Sequence, residues 1–129
     1  MYNLPKSARL RASGEFRRVY AGGLRYNGQF VTLFVQPNGL AAHRFGVTAS
    51  RKALSNKAHD RNRAKRLLRE AFRLNQAALE AAPVKCDWVF NAKRSLLATK
   101  VHGPLAELER IIQRVGREQQ AAAQELRPE

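Results

Sequence analysis

Seven side chains able to hold a phosphate or a base crowd into residues 61–73 of this sequence: Arg61, Asn62, Arg63, Lys65, Arg66, Arg69 and Arg73. A guanidinium fork meets two phosphate oxygens at once, an ammonium meets them as a point charge, and the Asn62 amide can hydrogen-bond a base edge or order the turn. Leu67, Leu68, Ala71, Phe72, Ala78 and Leu79 recur at three- and four-residue steps, so residues 57–79 read as one amphipathic helix. On that helix Asn62, Lys65, Arg66, Arg69 and Arg73 share an arc roughly 100° wide beside the apolar face. The cations cannot all face outward: the wheel turns Arg63 toward the protein, and Arg61 belongs to the helix start. The acids among them are Asp60, suited to the positive end of the helix, and Glu70, flanked by Arg66 and Arg73, so local pairing is expected to offset little of the charge. Solvated helix faces normally mix signs. This one calls for an anion.

A second constellation is aromatic. A short helix from Ser13, as its cap, through Ala21 places Phe16, Val19 and Tyr20 on one face, ended by Gly22-Gly23. Such a stripe is either core or, in surroundings this basic, a stacking surface for unpaired bases.

The chemistry that is missing narrows the reading. His43, His59 and His102 are scattered, with no cysteine or acid at metal-ligand spacing, and there is no phosphate-cradling glycine loop or zinc finger. A nuclease with its own two-metal centre needs several acids converging on its anion-binding surface, and the basic half offers little beyond Asp60. No catalytic residue and no protein-bound metal or cofactor is therefore expected.

The 129 residues read as a single domain, and 44% hydrophobic content supports a packed core. The net charge of +14 is lopsided: residues 1–73 carry +13 and residues 74–129 carry +1. No apolar run or signal-like segment points to a membrane, and the lone Cys86, expected as a small core residue, fits a reducing, cytoplasmic address.

The elements that must position these groups follow in order. Residues 1–12 read as an extended basic arm; residues 25–28 and 29–36 as strands, the second with Val31, Leu33 and Val35 on one face and Phe30, Thr32 and Phe34 on the other. Pro37-Asn38-Gly39 signals a turn into a strand over 44–50, predicted to pair antiparallel with its predecessor, and Gly46 leaves a gap there for another backbone or a ligand. After the basic helix come a buried strand over 86–91 and a last helix from Gly103-Pro104 with Leu105, Leu108, Ile111, Ile112 and Val115 on one stripe. Residues 117–129 lose the apolar face and are expected to fray. A strand–helix–strand unit implies a crossover, right-handed by the general rule.

Residues 61–73, Arg-Asn-Arg-Ala-Lys-Arg-Leu-Leu-Arg-Glu-Ala-Phe-Arg, closely resemble the signature of the protein subunit of bacterial ribonuclease P. Residues 44–52, the Phe16/Val19/Tyr20/Gly23 pattern preceded by Leu10-Arg11, and Asn91-Ala92-Lys93-Arg94 resemble further parts of that family, over about residues 4–115. Two departures stand out: the loop over 53–57 is slightly longer and lacks a glycine, and Asn91 stands where a hydrophobic residue is usual.

The resemblance implies an α/β two-layer sandwich of order αβββαβα, similar to the second domain of ribosomal protein S5, with a left-handed crossover around the Arg-Asn-Arg helix, against the general rule. It implies removal of the 5′ leader from precursor tRNA, with Mg²⁺-dependent hydrolysis carried by an RNA subunit. Arg61, Asn62, Arg63, Lys65, Arg66 and Arg69 would bind that catalytic RNA. Phe16, Tyr20 and Phe34 would line a cleft for the single-stranded leader, with Arg51, Lys52 and Lys93 on its phosphates. Partners would be the RNA subunit and precursor tRNA, with no obligate protein partner. A ribosomal or other structural RNA-binding protein would explain the charge equally well. A duplex-DNA reader would need a second helix where this chain has strands.

Overall fold

The structure is a computed structural model that describes residues 6–125. Its elements are α1 (Ser13–Gly22), β1 (Leu24–Asn27), β2 (Val31–Pro37), β3 (Arg44–Thr48), α2 (Ala58–Leu74), α3 (Gln76–Ala81), β4 (Cys86–Ala92) and α4 (His102–Glu125), with 3-10 turns at Lys6–Ala8 and Arg94–Ala98. One four-stranded sheet runs in the order β1-β2-β4-β3. β4 lies antiparallel to β2 and parallel to β3.

The antiparallel partnership expected between β2 and β3 does not form, because β4 inserts between them. Every residue of β4 from Cys86 to Phe90 is buried, so this strand must be covered on both faces and paired on both edges. Pro37-Asn38-Gly39 still reverses the chain: Gly39 has φ +67° and Leu40 N–H donates to Asn38 Oδ1 at 2.8 Å. The turn spans the end of β4, where Asn38 N–H reaches Lys85 O at 3.1 Å. Turn residues fix where the chain reverses and leave its strand partner open.

Alternation along the strands separates two apolar clusters. Val31, Leu33, Val35, Phe45, Trp88 and Phe90 face α2 and α4, meeting Ala64, Leu68, Ala71, Phe72, Leu108, Ile112 and Val115. Phe72 stacks on Phe45 with centroids 4.6 Å apart. On the opposite face Leu10, Val19 and Val89 gather with Phe16 and Phe34 under α1. The α/β sandwich thus carries α1 as a partial third layer beyond the two expected. Phe30, expected to share a face with Thr32 and Phe34, precedes β2 and packs with the α2/α4 cluster.

Four further expectations change. The basic helix stops at Leu74, because buried Asn75 turns its amide back to Ala71 O and on to Leu105 O, and α3 starts afresh. Ser13 is inside α1 rather than capping it; Ala12 holds the cap position, with Glu15 Oε1 accepting from the N–H groups of Arg11 and Ala12. Residues 117–125, expected to fray, continue α4, and Gln119 there accepts from Val84 N–H while Glu118 accepts from the Tyr26 hydroxyl. Of the expected basic arm, Leu10 is buried and its N–H donates to Phe45 O at 2.7 Å. Residues 1–5 of the arm and 126–129 of the tail lie outside the described residues.

Cys86 is the core thiol expected, its pKa pushed up to about 11 by burial. His43 receives Trp88 Nε1–H and Cys86 N–H on Nδ1 and faces Leu79 O through Nε2. It is therefore a neutral Nε2–H imidazole, and burial holds its pKa below the usual histidine value. No helix among the described residues is long and apolar enough to cross a membrane.

Candidate nucleic-acid interface

α2 begins with an indirect cap. Lys57, at the cap position, has no side chain able to accept; Ser55 Oγ accepts Lys57 N–H at 3.1 Å and donates to Asp60 Oδ2 at 2.8 Å. The Ser55 hydroxyl and neighbouring His59 hold the Asp60 carboxyl below its usual range, so a carboxylate faces the positive helix end. Beyond it Asn62, Lys65, Arg66 and Arg69, with His59, line one open depression that contains no acid. Burial, and then the Arg9 charge, push the Arg69 guanidinium below its usual pKa. Cations on this surface repel one another, and a polyanion relieves that repulsion.

Three residues of the basic run stand differently. Arg63 donates to Leu96 O (3.2 Å) and Thr99 O (2.8 Å), clamping α2 to the 3-10 turn after β4. Arg61 donates to Ser55 O at 3.0 Å, bracing the loop before the helix. Arg73 pairs with Glu70, although local spacing suggested that such pairing would offset little of the charge. The outward row is thus Asn62, Lys65, Arg66 and Arg69.

The second surface lies across the sheet. Phe34, Val89 and Gly46 stand side by side in register on β2, β4 and β3. A Cβ on Gly46 would sit 2.5 Å from the Phe16 ring, so the gap left by this glycine is filled by Phe16 and, beside it, Leu10. Tyr20 meets Phe34 edge-to-face with centroids 4.9 Å apart and remains 38% exposed, and its hydroxyl donates to Asn91 Oδ1 at 2.7 Å. Phe16 and Phe34 are partly buried against the small apolar cluster. The structure therefore brings all three aromatics together at the junction of α1 and the sheet, with Tyr20 as the most open.

Cations follow the C-terminal ends of the parallel strands β3 and β4. Arg51 and Lys52 are exposed just past the end of β3, and Lys93 follows β4, the parallel neighbour of β3. Lys93 Nζ donates to Asn27 Oδ1 at 2.7 Å and to Gly28 O, so its ammonium also pins the β1–β2 turn.

The opposite end holds a group that sequence reasoning missed. Asp87, fully buried, receives two bonds from Arg44 (2.9 and 2.8 Å), one from Asn38 (3.0 Å) and an ion pair from Arg18; Arg44 also reaches Glu15 at 2.8 Å. Burial pushes the Asp87 carboxyl up, but the hydrogen bonds from Arg44 and Asn38 and the two guanidinium charges outweigh it and hold the carboxyl low. The available signal was a lone acid inside a hydrophobic strand, a position that needs a cation. Among the described residues, no group of three or more His, Cys, Asp or Glu is placed to hold a metal ion.

A family model described as Ribonuclease P matches residues 4–116. The chain is 47% identical over 78 residues to the ribonuclease P protein component of Methylococcus capsulatus, 60% of each chain being covered. It is 40% identical to that of Pasteurella multocida, over 73% of this chain and 75% of the relative. It is 33% identical to that of Caldanaerobacter subterraneus subsp. tengcongensis, over 84% and 90%. Among solved structures, the RNase P protein from Thermotoga maritima superposes with a TM-score of 0.69 at 25% identity, over 82% of this chain and 96% of that one. The Staphylococcus aureus RNase P protein, at 21% identity and a TM-score of 0.68, shares the fold over 83% and 94%.

Proposed function

This chain belongs to the ribonuclease P protein family, the protein component of a ribonucleoprotein endoribonuclease of tRNA processing, and from that premise we propose how its two surfaces divide the work. The α2 row binds the catalytic RNA. Asn62, Lys65, Arg66 and Arg69 meet phosphates and sugars directly, while Arg61 and Arg63 add charge to the same helix as they brace it. The cleft takes the single-stranded 5′ leader of precursor tRNA: Phe16, Tyr20 and Phe34 offer ring faces, on which unpaired bases stack with little sequence preference. Arg51, Lys52 and Lys93 follow the leader phosphates. The S5-like topology and a left-handed crossover about α2 belong to the same reading, as does a cytoplasmic address.

What the chain supplies is binding and orientation, which raise the local concentration of a leader-bearing substrate beside the RNA that cleaves it.

The observations that support this reading are the acid-free depression on α2 and, on the other side of the sheet, the Phe16, Phe34 and partly exposed Tyr20 rings beside α1. A structural RNA-binding protein would need only the first. The test is cleavage of precursor tRNA by the catalytic RNA at low Mg²⁺ with and without the purified chain. Stimulation is expected, with no cleavage by the chain alone. Binding of the RNA without stimulation would assign it to the structural class.

A further inference from the structure

α4 carries an acid on its buried face. Glu107 is 1% exposed and, among the described residues, pairs with no cation. Asp87, the other acid buried so deeply there, collects two guanidinium groups. An apolar side chain would fill the place of Glu107 at less cost, so its carboxyl calls for a donor that needs it.

That donor lies in the turn between β1 and β2. Phe30 N–H, ahead of β2, reaches both Glu107 oxygens, at 3.2 and 3.0 Å. A Cβ on Gly28 would sit 1.5 Å from Glu107 Oε1, so a glycine is what lets the carboxyl come this close. Gly103, one turn earlier on α4, makes room for the Phe30 ring in the same way: a Cβ there would lie 2.8 Å from it. The other side of Phe30 leads to Lys93. Phe30 C=O accepts Lys93 N–H at 3.0 Å, so one residue joins the α4 carboxyl to the Lys93 backbone. The Lys93 ammonium returns to the turn, donating to Asn27 Oδ1 (2.7 Å) and Gly28 O, and Ser95 Oγ donates to Gln29 O at 2.7 Å. An ammonium has three donors. Two are committed, and the place of the turn decides where the third points.

We propose that Glu107 is a positioning residue for leader binding: by fixing Phe30 and the β1–β2 turn from α4, it aims the remaining Lys93 ammonium proton at a leader phosphate. A loose lysine gives up rotamer freedom when it meets an anion. Here the fold has restricted it beforehand, so less is lost on binding. Glu107 itself, fully buried, touches no RNA.

The inference rests on the reading above in which Lys93 meets the leader backbone. Holoenzyme assembled from the RNA subunit and the full chain is titrated with precursor and mature tRNA, for Glu107→Leu, Lys93→Ala and the double variant. Glu107→Leu fills the space without an acceptor. It should weaken precursor binding about fivefold, the worth of one ordinary hydrogen bond, with mature tRNA binding and kcat unchanged. In a Lys93→Ala background it should cost nothing further, because the group it aims is gone. Glu107→Gln, which keeps an acceptor for Phe30 N–H, should restore most of the loss. Ser95→Ala loosens the same turn from an exposed side and decides the matter if Glu107→Leu does not fold; about a twofold loss is expected, again only while Lys93 is present. The proposal is overturned if precursor binding survives these changes, if both RNAs lose equally, if the loss persists without Lys93, or if Glu107→Gln falls as far as Glu107→Leu. The leader reading fails separately, through a Lys93→Ala holoenzyme that prefers precursor over mature tRNA as strongly as the wild type.

Discussion

Arg44 and Arg69 have the same side chain and opposite circumstances. On the α1 face, hydrogen bonding to buried Asp87 holds Arg44 above the usual arginine pKa; on α2, burial and the nearby Arg9 push Arg69 below it. Arg18 and Arg44 close on one carboxylate and tie α1 and β3 to β4. Lys65, Arg66 and Arg69 share a depression with no carboxylate at all. The charge of this chain is therefore of two kinds. One part is neutralised inside the fold, and the other is left for a polyanion, the difference being where the few acids fall.

That contrast can be broken most forcefully at its centre. Asp87→Ala leaves two guanidinium groups aimed at a buried, uncharged strand and should cost about 3–5 kcal/mol, measured by urea unfolding followed through Trp88, the single tryptophan. A loss below about 1 kcal/mol would put Arg18 and Arg44 among the available cations after all.

The aromatic cleft comes next. Tyr20→Ala should weaken holoenzyme binding of precursor tRNA by about 1–3 kcal/mol with mature tRNA nearly unchanged. Gly46→Ala should do the same without substituting any leader-facing residue, because the added Cβ displaces the Phe16 ring. Equal losses for both RNAs would return these rings to the core.

On α2, Arg66→Ala should leave stability within about 0.5 kcal/mol while weakening assembly with the catalytic RNA about tenfold. The magnitude of its salt slope should fall by about 0.7–0.9 for each phosphate that Arg66 neutralises in the wild type. An unchanged slope removes Arg66 from the RNA-facing row.

Acid gives the smallest effect. Because the folded-state pKa of Asp87 is depressed, its contribution is fully present above the unfolded value near 3.8 and is lost as pH falls through the folded value. The stability gap between the wild type and Asp87→Asn should hold from pH 7 to about 5 and close only below about pH 4. A gap that closes near neutrality would mean that another group carries it.

Much of this molecule was legible because it depends on local periodicity. The 3.6-residue repeat from Ala64 to Phe72 set the buried face of α2 and placed Asn62, Lys65, Arg66 and Arg69 together. Alternation in β2 put Val31, Leu33 and Val35 on one side and Phe34 on the other. Membership of the ribonuclease P protein family was also readable from residues 61–73 and 44–52.

What the sequence by itself determined, then, was each element's buried face, the surplus of cations and the family. Tertiary structure alone decided which strands are neighbours, which cations are paired and which polar side chains meet. β4 took the centre because a strand buried along both faces needs two partners. Arg63 found carbonyls 33 and 36 residues away, and Asp87 collected Arg44 from 43 residues away. Asn91 gathered the Tyr20 hydroxyl from α1 and the Thr48 hydroxyl from β3. The physical reason is range: side-chain periodicity is written within a few residues, whereas hydrogen bonds and ion pairs are settled between groups that only the folded chain brings within about 3 Å.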